Sequence, residues 1–225
     1  GVKSLLMIQI KNLSKKYNCG NSCSTVLKNI NLEIKEGGFI AIVGPSGSGK
    51  STLLNMISGL DTPSSGSVTV NKSRLASLSD NELSRYRSHH IGFVFQEFHL
   101  ENFLTVRENV LLPSYFNHHK KRDNKLAVKL IKDVGLENKI DSPINELSGG
   151  QKQRAAIARS LINQPQIIIA DEPTGNLDLE TGKSILKLLK TLHSEHKMTV
   201  IIATHDTHIA AAAKKIITLK DGEIC

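Results

Sequence analysis

A glycine-rich segment lies between an apolar run, Phe39–Val43, and a stretch that is predicted to form a helix over about residues 50–60. Glycines let the main chain pass close to a polyphosphate, while main-chain N–H groups and the positive end of the helix point at it. Lys50 is predicted to reach the terminal phosphates, and the Ser51 hydroxyl is predicted to hold Mg²⁺. A strand-to-helix turn without a ligand is the alternative, but such a turn seldom supplies all the fixed positions. The segment fits the spacing G-x-x-x-x-G-K-[ST] and reads Gly44-Pro45-Ser46-Gly47-Ser48-Gly49-Lys50-Ser51.

Two acidic residues, Asp171 and Glu172, directly follow a second apolar run, Ile167–Ala170. A carboxylate at the end of a buried strand is suited to orient water bound to magnesium, and this role is predicted for Asp171. Glu172 stands one peptide further along and is predicted to polarise an attacking water. The alternative is that both acids only cap the following loop and helix. The phosphate loop upstream favours the chemical role.

A third segment stands about twenty residues before Asp171 and reads Leu147-Ser148-Gly149-Gly150-Gln151, followed by Lys152-Gln153-Arg154. By itself, the pair Ser148 and Gln151 predicts a capped helix N-terminus. Because it lies between the phosphate loop and the acidic pair, the segment resembles the signature motif of the ATP-binding cassette (ABC) ATPases. The resemblance covers nearly the whole chain, from Met7 to Ile224. It implies an ATPase that uses ATP and Mg²⁺.

The resemblance also implies roles for single residues elsewhere. Gln96 stands where the family has a glutamine that touches Mg²⁺ and the attacking water, and His205 where a histidine contacts the γ-phosphate. Asp178 matches the loop that crosses to a partner subunit, and Tyr17 matches the aromatic residue that stacks on adenine. The plainer interpretations are a polar residue at a strand end, a surface histidine and a helix N-cap. The segment Asn18–Ser24 is longer than the loop expected beside that aromatic residue.

The implied site combines three overlapping sets of residues. The nucleotide contacts are Tyr17, Gly44, Pro45, Ser46, Gly47, Ser48, Gly49, Lys50, Ser51, Thr52, Gln96, Ser148, Gly149, Gly150, Gln151 and Asp178. The Mg²⁺ ligands are Ser51, Gln96 and Asp171. The catalytic residues are Lys50, Gln96, Glu172 and His205.

The resemblance further implies a head-to-tail homodimer that closes around two ATP molecules. ATP on the phosphate loop of one subunit would be contacted by Ser148 and Gly150 of the other, at the start of a helix that favours anions. The strings Asp171–Asp178, Phe95–Leu100 and Glu108–Val110 are similar to the branch that serves lipoprotein release, macrolide export and antimicrobial-peptide resistance. The implied function is the ATPase subunit of a membrane transporter. An ATPase that powers a cell-division or cell-wall membrane complex is the alternative.

A separate transmembrane permease subunit is expected, because no segment here has the roughly 20 apolar residues that a spanning helix needs. The surface near Gln96–Leu112 is the predicted docking site for a short helix of that subunit. The alternative is that this surface packs against the core of its own chain. Its apolar residues are Phe98, Leu100, Phe103, Leu104, Val106 and Val110.

Composition narrows the classes of partner. The 225 residues are 39% apolar and 22% charged, which is typical of a folded globular protein. The net charge of +8 favours an anionic ligand, but basic clusters interleaved with aromatic residues are missing, so no nucleic-acid partner is predicted. Cys19 and Cys23 lack the second ligand pair of a zinc site. We expect a cytoplasmic protein, peripheral on the inner face of the cell membrane, in which residues 1–6 are an extension or a tag remnant.

The elements that must position these residues follow an alternating pattern. Apolar runs alternate with helical stretches, which predicts an α/β fold with a mostly parallel sheet. Together with the resemblance, this gives a P-loop NTPase core, an antiparallel β part and an inserted α-helical subdomain. The predicted strands are Ile8–Ile10, Asn31–Ile34, Phe39–Val43, Val68–Val70, Ile91–Phe95, Ile167–Ala170, Val200–Ala203 and Ile216–Leu219.

Between Phe95 and Ile167 helix signals replace strand signals. Thr105 and Glu108 form a predicted capping box, and an amphipathic helix over Asp123–Val134 is predicted to stop at Gly135. We therefore expect one ABC ATPase domain over residues 1–225. In it, residues 1–95 and 165–225 form the core and about 96–164 form the helical subdomain.

Overall fold

The computed structural model describes residues 5–19, 22–117 and 123–225. The strands in chain order are β1 (Leu6–Cys19), β2 (Ser22–Lys35), β3 (Phe39–Val43), β4 (Ser65–Val70), β5 (Ser73–Arg74), β6 (Ile91–Val94), β7 (Ile167–Asp171), β8 (Thr199–Thr204), β9 (Lys215–Lys220) and β10 (Glu223–Ile224). The α-helices are α1 (Lys50–Ser58), α2 (Asp80–His90), α3 (Val106–Leu111), α4 (Asn124–Asp133), α5 (Gly149–Leu161), α6 (Leu179–His196) and α7 (Thr207–Ala210). Short 3₁₀ helices cover Leu75–Ser77, Leu112–Phe116, Glu137–Lys139 and Ile144–Glu146.

The chain divides into two compact units. The first contains residues 1–84 and 199–225, and the second contains residues 85–198. The predicted helical subdomain over about 96–164 falls within the second unit, which also holds β6 and β7. Its boundaries remain a prediction.

An antiparallel sheet forms one layer of the first unit, with β2, β1, β4 and β5 in that order. Ile8 of β1 pairs with Ile34 on one side and with Val70 on the other. The predicted segments Ile8–Ile10 and Asn31–Ile34 were too short, because the outer halves of β1 and β2 carry exposed polar residues and irregular register instead of regular apolar alternation.

Parallel strands form the second layer of the first unit, with β3 between β8 and β9. Phe39–Ile42 and all six residues of β8 are buried, as expected for strands that are covered on both faces. Helix α1 buries Leu53, Leu54 and Ile57 and contacts β8. The phosphate loop therefore begins directly after a buried strand, β3.

The second unit, which begins at Arg85 within α2, combines the parallel pair β6 and β7 with helices α3 to α6. The capping box at Thr105 is confirmed, and so is the stop after α4, where Gly135 has φ 74°. Helix α2 was not predicted, because it buries only Tyr86 and so has no apolar stripe. Within the described ranges, no helix is long and apolar enough to span a membrane.

Candidate functional site

The phosphate loop follows β3 and leads directly into α1. Gly49 is the N-cap residue of α1 at φ 101°, and no side chain caps this end of the helix. The first turn of α1 contains no acidic residue. The first N–H groups of the helix are therefore suited to an anionic ligand.

Lys50 is folded back over the beginning of this loop. Its side chain is buried, and Nζ donates hydrogen bonds to the carbonyl oxygens of Gly44 at 2.9 Å and Pro45 at 3.1 Å. Ser48 is also buried, and within the described residues its Oγ has no hydrogen-bond partner. The loop thus contains a buried ammonium group and a hydroxyl group without a described partner, and both can donate hydrogen bonds to a phosphate group.

The glycines of the loop meet two different constraints. A Cβ atom at Gly44 would lie 2.1 Å from the carbonyl oxygen of Leu219, so the main chain passes too close for any side chain. Gly47 has φ 78°, which disfavours other residues, but a Cβ there would meet nothing within 4 Å. Pro45, Ser46 and Gly47 are exposed. The loop is thus anchored at its start and open at its centre.

Tyr17 also lies in the first unit, where its side chain contacts a polar cluster. Its hydroxyl donates to Asp61 Oδ2 at 2.7 Å, and Lys15 Nζ lies 2.6 Å from Asp61 Oδ1 and 4.7 Å from the centre of the Tyr17 ring. Partial burial and the bond to Asp61 raise the pKa of Tyr17, while a side-chain hydrogen bond with Thr52 lowers it. Burial would raise the pKa of Asp61, but the hydrogen bonds from Lys15 and Tyr17 hold it below its usual value.

His205 follows β8 in the first unit, and its side chain is exposed. Thr204, the last residue of β8, is fully buried, and its hydroxyl oxygen accepts a hydrogen bond from the N–H of Asp206 at 3.0 Å. This bond fixes the turn that carries His205. The side chains of the next two residues, 207 and 208, lie outside the description.

The acidic pair ends β7 in the second unit. Asp171 is the last residue of that strand, and Glu172 adopts φ 45°, a left-handed conformation that is uncommon for residues other than glycine. Val94 of β6 pairs with Ala170 of β7, so Gln96 and Asp171 follow the carboxyl ends of neighbouring parallel strands. The sequence predicted that each residue stands at the end of a strand, but not that these two strands are neighbours.

Gln96 is paired with a residue that sequence reasoning missed. Gln96 Nε2 donates to Asn176 Oδ1, and Asn176 Nδ2 donates to the carbonyl oxygen of Gln96, both at 3.1 Å. Gly175 makes room for this pair, since a Cβ there would lie 2.8 Å from Gln96 Nε2. The two partners are 80 residues apart, so the spacing of residues along one chain gives no signal for the pair.

The signature segment forms the N-terminus of α5. The predicted capping box is confirmed: Gln151 N donates to Ser148 Oγ at 3.3 Å, and Ser148 N donates to Gln151 Oε1 at 2.9 Å. Ser148 is exposed, and Gly149 and Gly150 are half-buried. A Cβ at Gly150 would lie 2.5 Å from Cγ2 of Thr181, so α6 approaches this end of α5 closely.

Asp178 is the N-cap of α6. Its Oδ1 accepts from Thr181 N at 3.0 Å, and its Oδ2 accepts from the Thr181 hydroxyl at 2.6 Å. These bonds lower the pKa of the Asp178 carboxyl. The plain interpretation as a helix cap is therefore correct, and any role toward a partner subunit remains a prediction.

The described residues allow a simple test of fit for Mg²⁺. No group of three or more His, Cys, Asp or Glu residues that could hold a metal was found among them. Mg²⁺ that accompanies a nucleotide needs only one or two carboxylates and the phosphates themselves. In the first unit, Ser51 offers an exposed hydroxyl in the first turn of α1, and in the second unit Asp171 offers a carboxylate at the end of β7. The side chains of Cys19 and Cys23 lie outside the description.

Comparison with known proteins places the chain in one family. The sequence pattern of the family described as "ABC transporter" matches residues 27–175. An uncharacterized ABC transporter ATP-binding protein of Methanocaldococcus jannaschii, MJ0796, is 48% identical over 223 residues, which are 97% of this chain and 95% of that protein. The macrolide export ATP-binding/permease protein MacB of Mannheimia succiniciproducens is 47% identical, but the match covers only 34% of its length.

Solved structures give the same result and confirm the predicted fold class. The chain is similar to the dimeric post-hydrolysis state of MJ0796 bound to ADP and Pi, with a TM-score of 0.89, 47% identity, and 97% of this chain and 96% of that chain covered. It is also similar to CbiO1 of Clostridium perfringens, described as part of the ABC transporter complex cbiONQ, with a TM-score of 0.86, 33% identity, and 98% and 87% covered. The chain therefore belongs to the ABC transporter family, as an ATP-binding ATPase of that family.

Proposed function

We propose that two copies of this chain bind two ATP molecules head to tail and that ATP hydrolysis drives a conformational change in a separate transmembrane subunit. The observation that carries this proposal is the phosphate loop. Lys50 is buried over a glycine-lined turn at the uncapped start of α1, which is an arrangement suited to a polyphosphate. Membership of the ABC transporter family identifies this polyphosphate as ATP.

Within this proposal, the first unit binds ATP. Lys50 would exchange its carbonyl partners for phosphate oxygens, and Ser48 and Ser51 would add hydroxyl contacts. The ring of Tyr17 would stack on adenine, because its hydroxyl is already tied to Asp61 and the ring needs little further ordering on binding. His205 would contact the γ-phosphate.

The second unit would carry out the chemistry. The oxygen of a water molecule forms a bond to the γ-phosphorus, the bond from that phosphorus to the ADP oxygen breaks, and the water proton passes to the carboxylate of Glu172. Asp171 and Gln96 would orient the attacking water and, with Ser51, hold Mg²⁺. When bound, Mg²⁺ supplies positive charge that stabilises the phosphate oxygens.

The dimer follows from the signature segment. Ser148 is exposed at the start of α5, where N–H groups and the helix dipole favour an anion. The phosphate loop already holds the triphosphate of its own subunit, so we assign this second anion site to the ATP of a partner copy. The dimeric state of the solved MJ0796 structure supports this assignment.

The transmembrane subunit would dock near Gln96–Leu112, with the protein bound to the inner face of the cell membrane. Phe103 is 82% exposed. Phe98, Leu100 and Leu104 are half-exposed. Val106 and Val110 are fully buried, so the expectation that they line the surface was wrong: they belong to the core of their own unit.

The similarity to MacB favours export. The resemblance of Asp171–Asp178 to one branch of the family adds lipoprotein release and antimicrobial-peptide resistance as candidates. This chain spans about a third of the length of MacB, so most of that protein has no counterpart in these 225 residues. The second candidate is an ATPase for a cell-division or cell-wall complex. Identifying the membrane protein that co-purifies with the chain separates the two.

Gel filtration of Glu172→Gln with and without ATP tests the dimer. The substitution keeps the size of the side chain and removes the base, so ATP stays bound and the closed dimer accumulates. A variant that elutes only as a monomer at saturating ATP contradicts the composite site.

A charged substitution tests the docking surface. Phe103→Glu is expected to keep the ATPase activity of the isolated protein and to weaken its association with the membrane subunit. Ile216→Glu is the matched control, since Ile216 is a 49% exposed apolar residue on β9 of the first unit. Equal association of both variants contradicts the docking site.

A further inference from the structure

The side chain of Gln153 connects the signature helix to two separate loops of the second unit. Gln153 lies in α5, one turn after Gly149, and is fully buried. Its Nε2 donates to the carbonyl oxygen of Pro173 at 2.6 Å and to that of Phe95 at 3.4 Å. Pro173 directly follows Glu172, and Phe95 directly precedes Gln96.

Helix α5 also holds the main chain just after Gln96. Arg159 Nη2 donates to the carbonyl oxygen of Phe98 at 2.8 Å, and Nη1 donates to that of His99. Phe98 and His99 adopt φ of 24° and 48°, conformations that are unfavourable for residues with side chains. A strained main chain keeps such a shape only where its surroundings hold it, and here Arg159 supplies two of the bonds.

The chemistry of the amide fits this double contact. A glutamine –NH₂ group has two hydrogens, and the two carbonyl oxygens use both of them. The other end of the group, Oε1, is buried and has no hydrogen-bond partner within the described part of the chain. The amide thus donates to two main-chain carbonyl oxygens, while its own oxygen stays unsatisfied.

We infer that Gln153 is a positioning residue for ATP hydrolysis: it fixes the main chain beside Gln96 and beside Glu172 to one rigid helix. This inference rests on the proposed function, in which Gln96 and Glu172 act on the attacking water. Because α5 starts at the signature segment, the helix that would contact the partner's ATP also sets both catalytic side chains. Gln153 touches neither nucleotide nor water and acts through its two neighbours.

The test is a comparison of ATP affinity and kcat in Gln153→Met. Methionine keeps the length and volume of the side chain and removes both donors. We expect kcat to fall by about 10- to 100-fold, since a displacement near 1 Å can have this effect. The Kd of a fluorescent ATP analogue stays within about threefold, because the phosphate loop is built from residues of the other unit.

Arg154→Met is the matched control. Arg154 is the next residue of α5 and also donates to a carbonyl oxygen, that of Val134 at 2.8 Å, and to the hydroxyl of Ser184 at 2.6 Å. It loses hydrogen bonds of the same kind without touching the loops of Gln96 or Glu172. We expect its melting temperature to fall while kcat stays within about twofold of the unmodified protein.

A mutant cycle in which Gln96 and Glu172 are changed together separates a positioning role of Gln153 from an effect on general stability. If Gln153 acts through Gln96 and Glu172, the substitution Gln153→Met has little further effect in a Gln96→Ala, Glu172→Gln background. A full additive loss there, or an unchanged kcat in the single variant, overturns the inference. Should Gln153→Met not fold, Gln153→Asn, which withdraws the amide by one methylene, is expected to give the same split between kcat and Kd, and an unchanged kcat in it overturns the inference too. Full hydrolysis by Glu172→Gln would instead contradict the proposed function itself.

Discussion

The phosphate loop of the first unit and the catalytic loops of the second unit are built in opposite ways. In the phosphate loop, Lys50 bonds to carbonyl oxygens only five and six residues away, although the start of the loop at Gly44 also packs closely against the distant Leu219. Around Gln96 and Glu172, side chains from distant positions hold the main chain, across separations of 20 residues for Gln153 and Pro173 and 80 for Asn176 and Gln96.

This difference suits two different tasks. A site that depends on neighbouring residues keeps its shape when the rest of the molecule moves, so it can bind a nucleotide at every stage of a cycle. A site that depends on a helix is altered whenever that helix moves, which makes hydrolysis sensitive to events at the start of α5. ATP binding is therefore expected to change little when other parts of the molecule move, whereas ATP hydrolysis is expected to depend on the position of α5.

Lys50→Ala is expected to have the largest effect. Loss of a buried charge-assisted contact to phosphate removes about 1.5–3 kcal/mol, which corresponds to about 10- to 150-fold in ATP affinity, and turnover is lost. Calorimetric titration with ATP measures the change. Lys183→Ala removes an exposed cation of α6 and serves as the control, and equal affinities of the two variants would remove Lys50 from the site.

Two of the three glycines of the phosphate loop, Gly44 and Gly47, are expected to differ in how well they tolerate a side chain. Gly44→Ala brings a Cβ to 2.1 Å from the Leu219 carbonyl oxygen and should reduce the free energy of unfolding by about 3 kcal/mol, the upper range for an overpacked site. Gly47→Ala meets open space and bears only the cost of its positive φ, about 1 kcal/mol. Chemical denaturation of both variants checks the order, and the reverse order would contradict the anchored start of the loop.

Ser148→Ala is expected to act on two properties at once. Loss of its cap should reduce stability by about 1 kcal/mol and also slow ATP hydrolysis, because Ser148 belongs to the proposed composite site. Asp123→Ala removes the N-cap bond to Leu126 N in α4 and should reduce stability by a similar amount without slowing hydrolysis. Melting curves and ATPase rates of both proteins test this, and equal ATPase rates would reduce Ser148 to a helix cap.

The smallest effect concerns acid stability at Asp61. Its pKa is lower in the folded protein than its ordinary value near 3.8, so the ionised form contributes stability above that value. This contribution is lost as the pH falls through the lower folded value. The stability difference between the unmodified protein and Asp61→Asn should therefore shrink between pH 6 and pH 3. Its size stays below about 1 kcal/mol, because the pair with Lys15 is partly exposed to solvent. A constant difference would show that Asp61 does not titrate in this way.

The sequence was sufficient wherever a feature depends on neighbouring residues. The phosphate loop, the capping boxes at Thr105 and Ser148 and the stop at Gly135 follow from spacings of a few positions. Buried strands such as β3 were placed within their observed bounds because apolar runs mark them. Features that depend on contacts between residues far apart in the chain could not be predicted from the sequence.

Helix α2 and the outer half of β1 illustrate the limit. Both carry exposed polar side chains, so no apolar period reveals them. Asn176 and Gln153 gave no signal of their structural contacts, since their partners lie on other elements. Only the fold brings an amide to two carbonyl oxygens that stand 58 and 20 residues away in the chain.

ATP binding and ATP hydrolysis are expected to respond separately to substitution. The direct measurement is ATP affinity together with the rate of a single turnover in Glu172→Gln. We predict an affinity within about threefold of the unmodified protein and a rate lower by a factor on the order of 10²–10⁴, because the general base is lost while the phosphate loop is untouched. An unchanged rate would contradict the account, and so would a loss of affinity as large as that of Lys50→Ala.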